Sequence, residues 1–215
     1  MNFLRRVAMS EAILNVSTAV RYESGELTRE QSLKGDYVEF GVYKGRMFGY
    51  VMREAAERMP WMRFVACDSF EGLPAPKGVD VGGEFAGGQF ACSELDFLKN
   101  LSSQALPLDG VITIPGWFSE SLLETNVAKY SIHSVAIAYV DCDLYESCVP
   151  VLSFLTPRVR QGTVLMFDDW FCFRADPRRG IPLAVTEWLK RAPHLELVPW
   201  RAFASHGFAF FVNVH

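Results

Sequence analysis

The 215-residue sequence predicts an α/β domain in which a mostly parallel, doubly wound sheet ends in antiparallel strands. Short apolar segments rich in β-branched and aromatic residues alternate with amphipathic ones along most of the chain. Several of the apolar segments lack polar alternation, which marks strands covered on both faces. The last two strand-like segments lie too close together for a parallel crossover, so they pair antiparallel.

Residues 1–35 precede the first strand and read as one or two helices capping a domain that spans 36–215. Strands are expected at 37–40, 64–67, 111–114, 135–140 and 163–167, the last three buried on both faces. Helices are expected at 47–58, 93–101, 119–129, 147–155 and 182–191. In the first of these Met47, Val51, Met52 and Ala55 recur at helical spacing opposite Arg53, Glu54, Glu57 and Arg58, and Pro60 ends the run. Segments 195–198 and 208–214 complete a seven-strand sheet, joined through a turn that contains Ser205, His206 and Gly207. Residues 72–88 hold six glycines together with Pro74 and Pro76, the composition of either a mobile lid or a surface insertion.

Composition narrows the functional classes. A net charge of −4 argues against a nucleic-acid binder that relies on bulk positive charge. The longest apolar runs fall well short of the roughly 20 residues of a membrane span. Five cysteines without CxxC spacing and four scattered histidines argue against a disulfide framework or a structural zinc. Arg5 and Arg6 precede a short apolar stretch, but Glu11 and Asn15 interrupt it, so it reads poorly as a signal peptide. A reduced, cytoplasmic protein is expected.

Two groups of residues carry chemistry. Between the first strand and its helix lies Glu39-Phe40-Gly41-Val42-Tyr43-Lys44-Gly45. The glycines permit a tight turn and close approach of a ligand to the backbone. This is not GxGxxG, and alone it fits an ordinary βα turn equally well. Asp68 ends the second strand 23 residues beyond Gly45. An acid there can accept hydrogen bonds from ribose hydroxyls, or can act as a cap. Together the turn and Asp68 favour an adenosine-type ligand.

The second group is acidic. The fourth strand runs out into Asp141-Cys142-Asp143 and the fifth into Asp168-Asp169. In a parallel sheet these strand ends share one edge, so the four carboxylates converge and repel one another. Mg²⁺, a hard cation that takes oxygen ligands, would relieve that repulsion, although helix capping could account for one or two of the four. Cys142 in so acidic a setting is a poor nucleophile.

The segments GDYVEFGVYKG (35–45), DSFEGLP (68–74), GWF (116–118), VDCDLYES (140–147) and FDDW (167–170) resemble the macrocin O-methyltransferase family over about residues 35–190. The resemblance implies the class I methyltransferase fold, a Rossmann-like seven-strand sheet with an antiparallel C-terminal strand and helices on both faces. It also implies S-adenosylmethionine and Mg²⁺ as cofactors, and a small-molecule acceptor such as a sugar or glycosylated metabolite. Glu39, Gly41, Tyr43 and Gly45 would line the methionine and ribose side of the cofactor. Asp68 would hold the ribose, flanked by Ser69 and Phe70, and Trp117 would lie near the adenine. Asp141, Asp168 and Asp169 match the family's metal ligands, with Asp141 also beside the cofactor, and Asp143 matches its general base. A homodimer is compatible with this reading. The aromatic and basic segment 170–180 would either stack on a sugar ring and face an anion such as a nucleotide diphosphate, or solvate a loop. A nicotinamide-dependent oxidoreductase and a non-catalytic relative are the competing readings; the missing GxGxxG weighs against the first and the intact acidic cluster against both.

Overall fold

The computed structural model describes residues 3–17, 19–23, 26–30 and 33–215. Its elements run α1 (Phe3–Ser17), β1 (Ala19–Glu23), β2 (Glu26–Glu30), β3 (Asp36–Phe40), α2 (Arg46–Ala56), β4 (Phe64–Asp68), α3 (Glu94–Ser102), β5 (Val111–Pro115), α4 (Phe118–Ser121), α5 (Glu124–Val127), β6 (Val135–Val140), α6 (Tyr145–Leu155), β7 (Val164–Phe167), α7 (Gly180–Arg191), β8 (Leu195–Phe203) and β9 (Gly207–Val214). Seven strands form one sheet in the order β5-β4-β3-β6-β7-β9-β8. Pairing is parallel from β5 to β7 and antiparallel for β9 and β8. On one face α1, α2 and α3 contribute to a core that includes Met9, Phe48 and Phe97; on the other, α6 and α7 contribute to a core that includes Val151 and Trp188.

Three expectations need correction. Of the one or two helices expected over 1–35, the described residues hold α1, whereas residues 19–23 and 26–30 pair as an antiparallel ribbon. The β-formers Val20 and Tyr22 alternate with Arg21 and Glu23, a period that favours strand over a second helix. The helix expected over 119–129 is broken into α4, α5 and a 3₁₀ turn, with Leu123 extended between them (φ −61°, ψ 140°). Thr125, Asn126 and Val127 are weak helix formers, and Asn126 turns its side-chain amide back to the Glu120 carbonyl. Finally β5 is the edge strand, so Val111, Ile112 and Thr113 are only half-buried.

The Gly-rich segment after β4 is a docked strap. Its base is closed by Leu73 N–H to the Gln89 carbonyl and Gly88 N–H to the Leu73 carbonyl, both 2.8 Å. Its middle is anchored by Asp80, which is only 1% exposed. Asp80 Oδ2 accepts the Tyr145 N–H (2.6 Å) at the start of α6, and Oδ1 accepts the Gly180 N–H (3.0 Å) at the start of α7. One carboxylate thus satisfies orphan donors at two helix N-termini, where a negative charge is favoured. Further along, Glu84 accepts the Phe173 N–H (2.8 Å), Phe85 packs edge-on against Phe173, and Arg179 stacks over the Phe173 ring while donating to the Val81 carbonyl. The strap and segment 170–180 therefore form one wall.

Asp80→Ala leaves two backbone donors without their partner. It is expected to lower stability by about 2 kcal/mol in urea unfolding and to expose the strap to limited proteolysis. Unchanged stability and an intact strap would show that the anchor is dispensable.

Candidate active site

Strand order reverses at β3, which pairs with β4 on one side and β6 on the other. Ligands of open α/β sheets bind outside the carboxyl ends of the strands at such a point. Here Gly41 lies so close to β6 that a Cβ would sit 1.9 Å from the Asp141 carbonyl oxygen, and its φ is +86°. The glycine is demanded first by strand-end packing, whatever ligand lies above it. A cavity of about 930 Å³ opens at this edge. That is the upper end of the range for small-molecule sites, with room for a cofactor and an acceptor side by side.

Most of the residues singled out from sequence reach this cavity. Gly41, Tyr43, Asp68, Ser69 and Trp117 line one part, and Asp141, Asp143, Asp168 and Asp169 another. Glu39, Gly45 and Phe70 are not among the lining residues. Gly45 starts α2 in the left-handed region, with Phe97 where a Cβ would go, and Phe70 packs against the same ring. The strap adds Leu73, Pro74, Lys77, Glu84 and Phe85 to the wall.

Asp68 organises the first half. Its Oδ2 accepts the N–H groups of Val42 (2.7 Å) and Tyr43 (3.2 Å), and its Oδ1 accepts that of Phe70 (2.8 Å). These bonds tie the Gly41–Gly45 turn to the end of β4 and leave the Oδ1 edge with acceptor capacity toward the cavity. Glu39 lies beneath, 2% exposed, and accepts a 2.5 Å hydrogen bond from the Tyr37 hydroxyl. Burial pushes its carboxyl well above the usual carboxylate range, and the charges of Asp68 and Asp168 push the same way.

The second half gathers the carboxylates. Oxygen atoms of Asp141, Asp143 and Asp169 lie within 4.8 Å of one another. Burial is the main force raising all three, followed by the neighbouring carboxylates; Asp143 is pushed up to about 7. Asp169 Oδ2 is buried without a hydrogen-bond partner. An orphaned carboxylate oxygen among other hard oxygen donors fits a divalent cation such as Mg²⁺. Asp169, Cys172 and His206 form a second grouping of ligand type. It suits a softer metal less well than its composition suggests. The Cys172 thiol is pushed up by burial and by Asp169, to which it donates, and His206 Nε2 is taken by Arg5. Cys142 is likewise held as a thiol, by its contact with Cys148 and by burial.

Asp168 stands apart from the trio. Its Oδ1 accepts the Tyr139 hydroxyl (2.7 Å) and its Oδ2 accepts Arg5 Nη2 (2.5 Å). The same guanidinium nitrogen lies 3.0 Å from His206 Nε2. Because arginine can only donate, Nε2 accepts and the ring proton sits on Nδ1, facing Ser205 Oγ at 2.7 Å. Arg5 and His206 were not singled out from sequence as site residues. The one local hint for His206 was its place in the turn between the last two strands; for Arg5 there was none.

The sequence profile of the family described as macrocin O-methyltransferase (TylF) matches residues 22–180. The chain belongs to that family. It is 30% identical over 155 residues to demethyldecarbamoylnovobiocin O-methyltransferase of Streptomyces niveus, covering 65% of this chain and 54% of that protein. It is also 30% identical over 157 residues to the 8-demethyl-8-(2,3-dimethoxy-alpha-L-rhamnosyl)-tetracenomycin-C 4′-O-methyltransferase of Streptomyces olivaceus, 67% and 56% of the two chains. The chain thus spans about half the length of the curated relatives it matches. The O-methyltransferase NovP superposes with a TM-score of 0.69 at 23% identity, over 98% of this chain and 80% of its own. The calicheamicin methyltransferase CalS11 gives 0.71 at 23% identity, over 96% and 78%. At these identities the likeness speaks for the fold, which is the class I methyltransferase sheet anticipated from sequence. The matched span contains every carboxylate of the cluster, whereas Arg5 and His206 lie outside it.

Glu39 supports the site from below, and its titration can be read through stability. An unfolded glutamate titrates near pH ~4.3. Above that pH the unfolded chain has released a proton that the native state, with its raised value, still holds. Wild-type stability therefore falls as pH rises, by up to about 1.4 kcal/mol per pH unit. Glu39→Gln is neutral at every pH and still accepts from Tyr37. Urea unfolding is expected to show its stability relative to wild type growing from about pH 5 to pH 8; parallel curves would refute the assignment.

Proposed function

We propose that this chain is a divalent-cation-dependent O-methyltransferase that uses S-adenosylmethionine to methylate a hydroxyl of a sugar or other polyol-bearing small molecule. The observation that carries the proposal is that one cavity joins the Asp68-anchored turn to a buried carboxylate cluster containing an unpartnered oxygen. The family, and the rhamnosyl-bearing compound in the name of one relative, support the acceptor class. A nicotinamide oxidoreductase has no use for such a cluster, and the Gly41–Gly45 turn lacks the dinucleotide fingerprint. Five free cysteines, and no helix among the described residues long and apolar enough to cross a membrane, are in keeping with a cytoplasmic setting.

In this reading Asp141, Asp168 and Asp169 hold Mg²⁺, and Asp143 is the general base. The cation, when bound, supplies positive charge that favours the ionised form of an acceptor hydroxyl. S-adenosylmethionine supplies the methyl. The residues of this chain do the rest by position. Asp143 sits at φ +63°, a conformation that aspartate tolerates, and its carboxyl lies beside those of Asp141 and Asp169, where it would accept the hydroxyl proton. Asp68 fixes the turn and presents its remaining acceptor edge to ribose. Trp117 and Tyr43 line the cavity, and strap residues Leu73, Pro74, Lys77, Glu84 and Phe85 wall it. With little covalent chemistry required of the protein, alignment supplies much of the rate.

Labelled-methyl transfer from S-adenosylmethionine onto a panel of sugar-bearing acceptors is expected to require Mg²⁺, to be lost in EDTA and to return on adding Mg²⁺. Full transfer in chelator would remove the metal from the scheme. Calorimetric binding of NAD without S-adenosylmethionine binding would overturn the reaction class. Asp143→Asn is expected to cut kcat by about 10²-fold or more while leaving S-adenosylmethionine affinity within a few fold; a small kcat effect would exclude it as the base.

A further inference from the structure

α1 docks through a buried stripe of Ala8, Met9, Ala12, Ile13 and Val16. Arg5 extends that stripe by one turn, toward the carboxyl edge of the sheet. It lies in the first turn of the helix, where a positive charge opposes the macrodipole, and no acidic residue accompanies it there. The placement is offset by Asp168, whose side chain is 3% exposed against 24% for that of Arg5. Arg5 also faces the charges of Asp141 and Asp169. Asp168 is therefore the member of the acidic cluster that already has a guanidinium, while Asp169 Oδ2 has no hydrogen-bond partner.

Each Asp168 oxygen already accepts one donor, Oδ1 from Tyr139 and Oδ2 from Arg5, so a cation bound at either oxygen lies close to the Arg5 guanidinium. A guanidinium and a divalent cation on one buried carboxylate repel each other strongly, because little water intervenes to screen them. We propose that Arg5 is a resident counter-cation that competes with the divalent cation for Asp168, so that docking of the α1 N-terminus and cation binding oppose each other. The inference rests on the reading of Asp141, Asp168 and Asp169 as the cation's ligands. Such coupling is reciprocal: what the cation does to α1, α1 does to cation affinity by the same factor. Arg5 is thus a positioning residue that acts through Asp168. His206, which shares the guanidinium at 3.0 Å, is the group left to receive it when Asp168 is taken.

Mn²⁺ is a paramagnetic probe for the site, and free Mn²⁺ can be titrated by EPR at constant pH. Wild type, Arg5→Met, Arg5→Lys and Asp169→Asn are compared. Arg5→Met is expected to bind Mn²⁺ about tenfold more tightly than wild type, a coupling of about 1.4 kcal/mol. Arg5→Lys keeps the charge and is expected to stay near wild type. Hydrogen exchange of residues 3–17 in wild type is expected to speed up on adding Mn²⁺, a response that Arg5→Met loses. Wild-type exchange that is indifferent to Mn²⁺ overturns the proposal without use of any variant. Site binding that Asp169→Asn abolishes but Arg5→Met leaves unchanged or weakens also overturns it, with the metal reading intact. Absence of any Mn²⁺ binding sensitive to Asp169→Asn overturns the metal reading and this inference together.

Discussion

Largely buried carboxylates gathered at the ends of β6 and β7 repel one another, and much of the surrounding structure answers that repulsion. Burial and mutual charge push Asp141, Asp143 and Asp169 upward together. Tyr139 gives its hydroxyl to Asp168 from within the sheet, Cys172 gives its thiol to Asp169 from the loop that follows, and Arg5 brings a full positive charge from the far side of the fold. Asp169 Oδ2 is left buried without a hydrogen-bond partner. An unpartnered carboxylate oxygen beside the carboxylates of Asp141 and Asp143 is prepared for a cation.

Some of the irregular backbone lies around this centre. Asp143 and the run Phe173, Arg174 and Ala175 all have positive φ without being glycine. Such conformations persist only where neighbours over-determine them. Here the neighbours are known: Glu84 takes the Phe173 amide and Arg179 covers the Phe173 ring. Through Asp80 the strap is bonded to α6 and α7, the helices that follow the two acid-bearing strands. Strap, helices and acidic cluster thus form one mechanical unit. The turn on the cofactor side is held separately by Asp68.

The strands were legible because buried parallel strands are written as apolar runs, and β3, β4, β6 and β7 lie within a residue or so of their expected places. The carboxylates were legible for the same reason: a charge that abruptly ends an apolar strand stands out. Less legible was anything that depends on how strongly an element is propped by its neighbours. The fragments α4 and α5 read as one helix because their apolar spacing is helical, yet Leu123 adopts an extended conformation. Gly41 read as room for a ligand, whereas the atom that forbids a side chain there belongs to Asp141, one hundred residues away in sequence. Glu39 read as a cofactor contact, whereas its carboxyl is engaged with Tyr37 inside the protein.

The sequence by itself determined which segments are strands, that they run parallel until the C-terminal pair, and hence that Asp68, Asp141, Asp143, Asp168 and Asp169 share one edge. That follows from local periodicity together with the geometry of parallel crossovers. Only the tertiary structure decided what meets those acids. Arg5 is separated from Asp168 by 163 residues and from His206 by 201, and no local pattern encodes such pairings. They arise because α1 packs its apolar stripe on one face of the sheet and the β8–β9 turn returns to the same edge. Both place a polar side chain where burial makes the choice of partner costly to change.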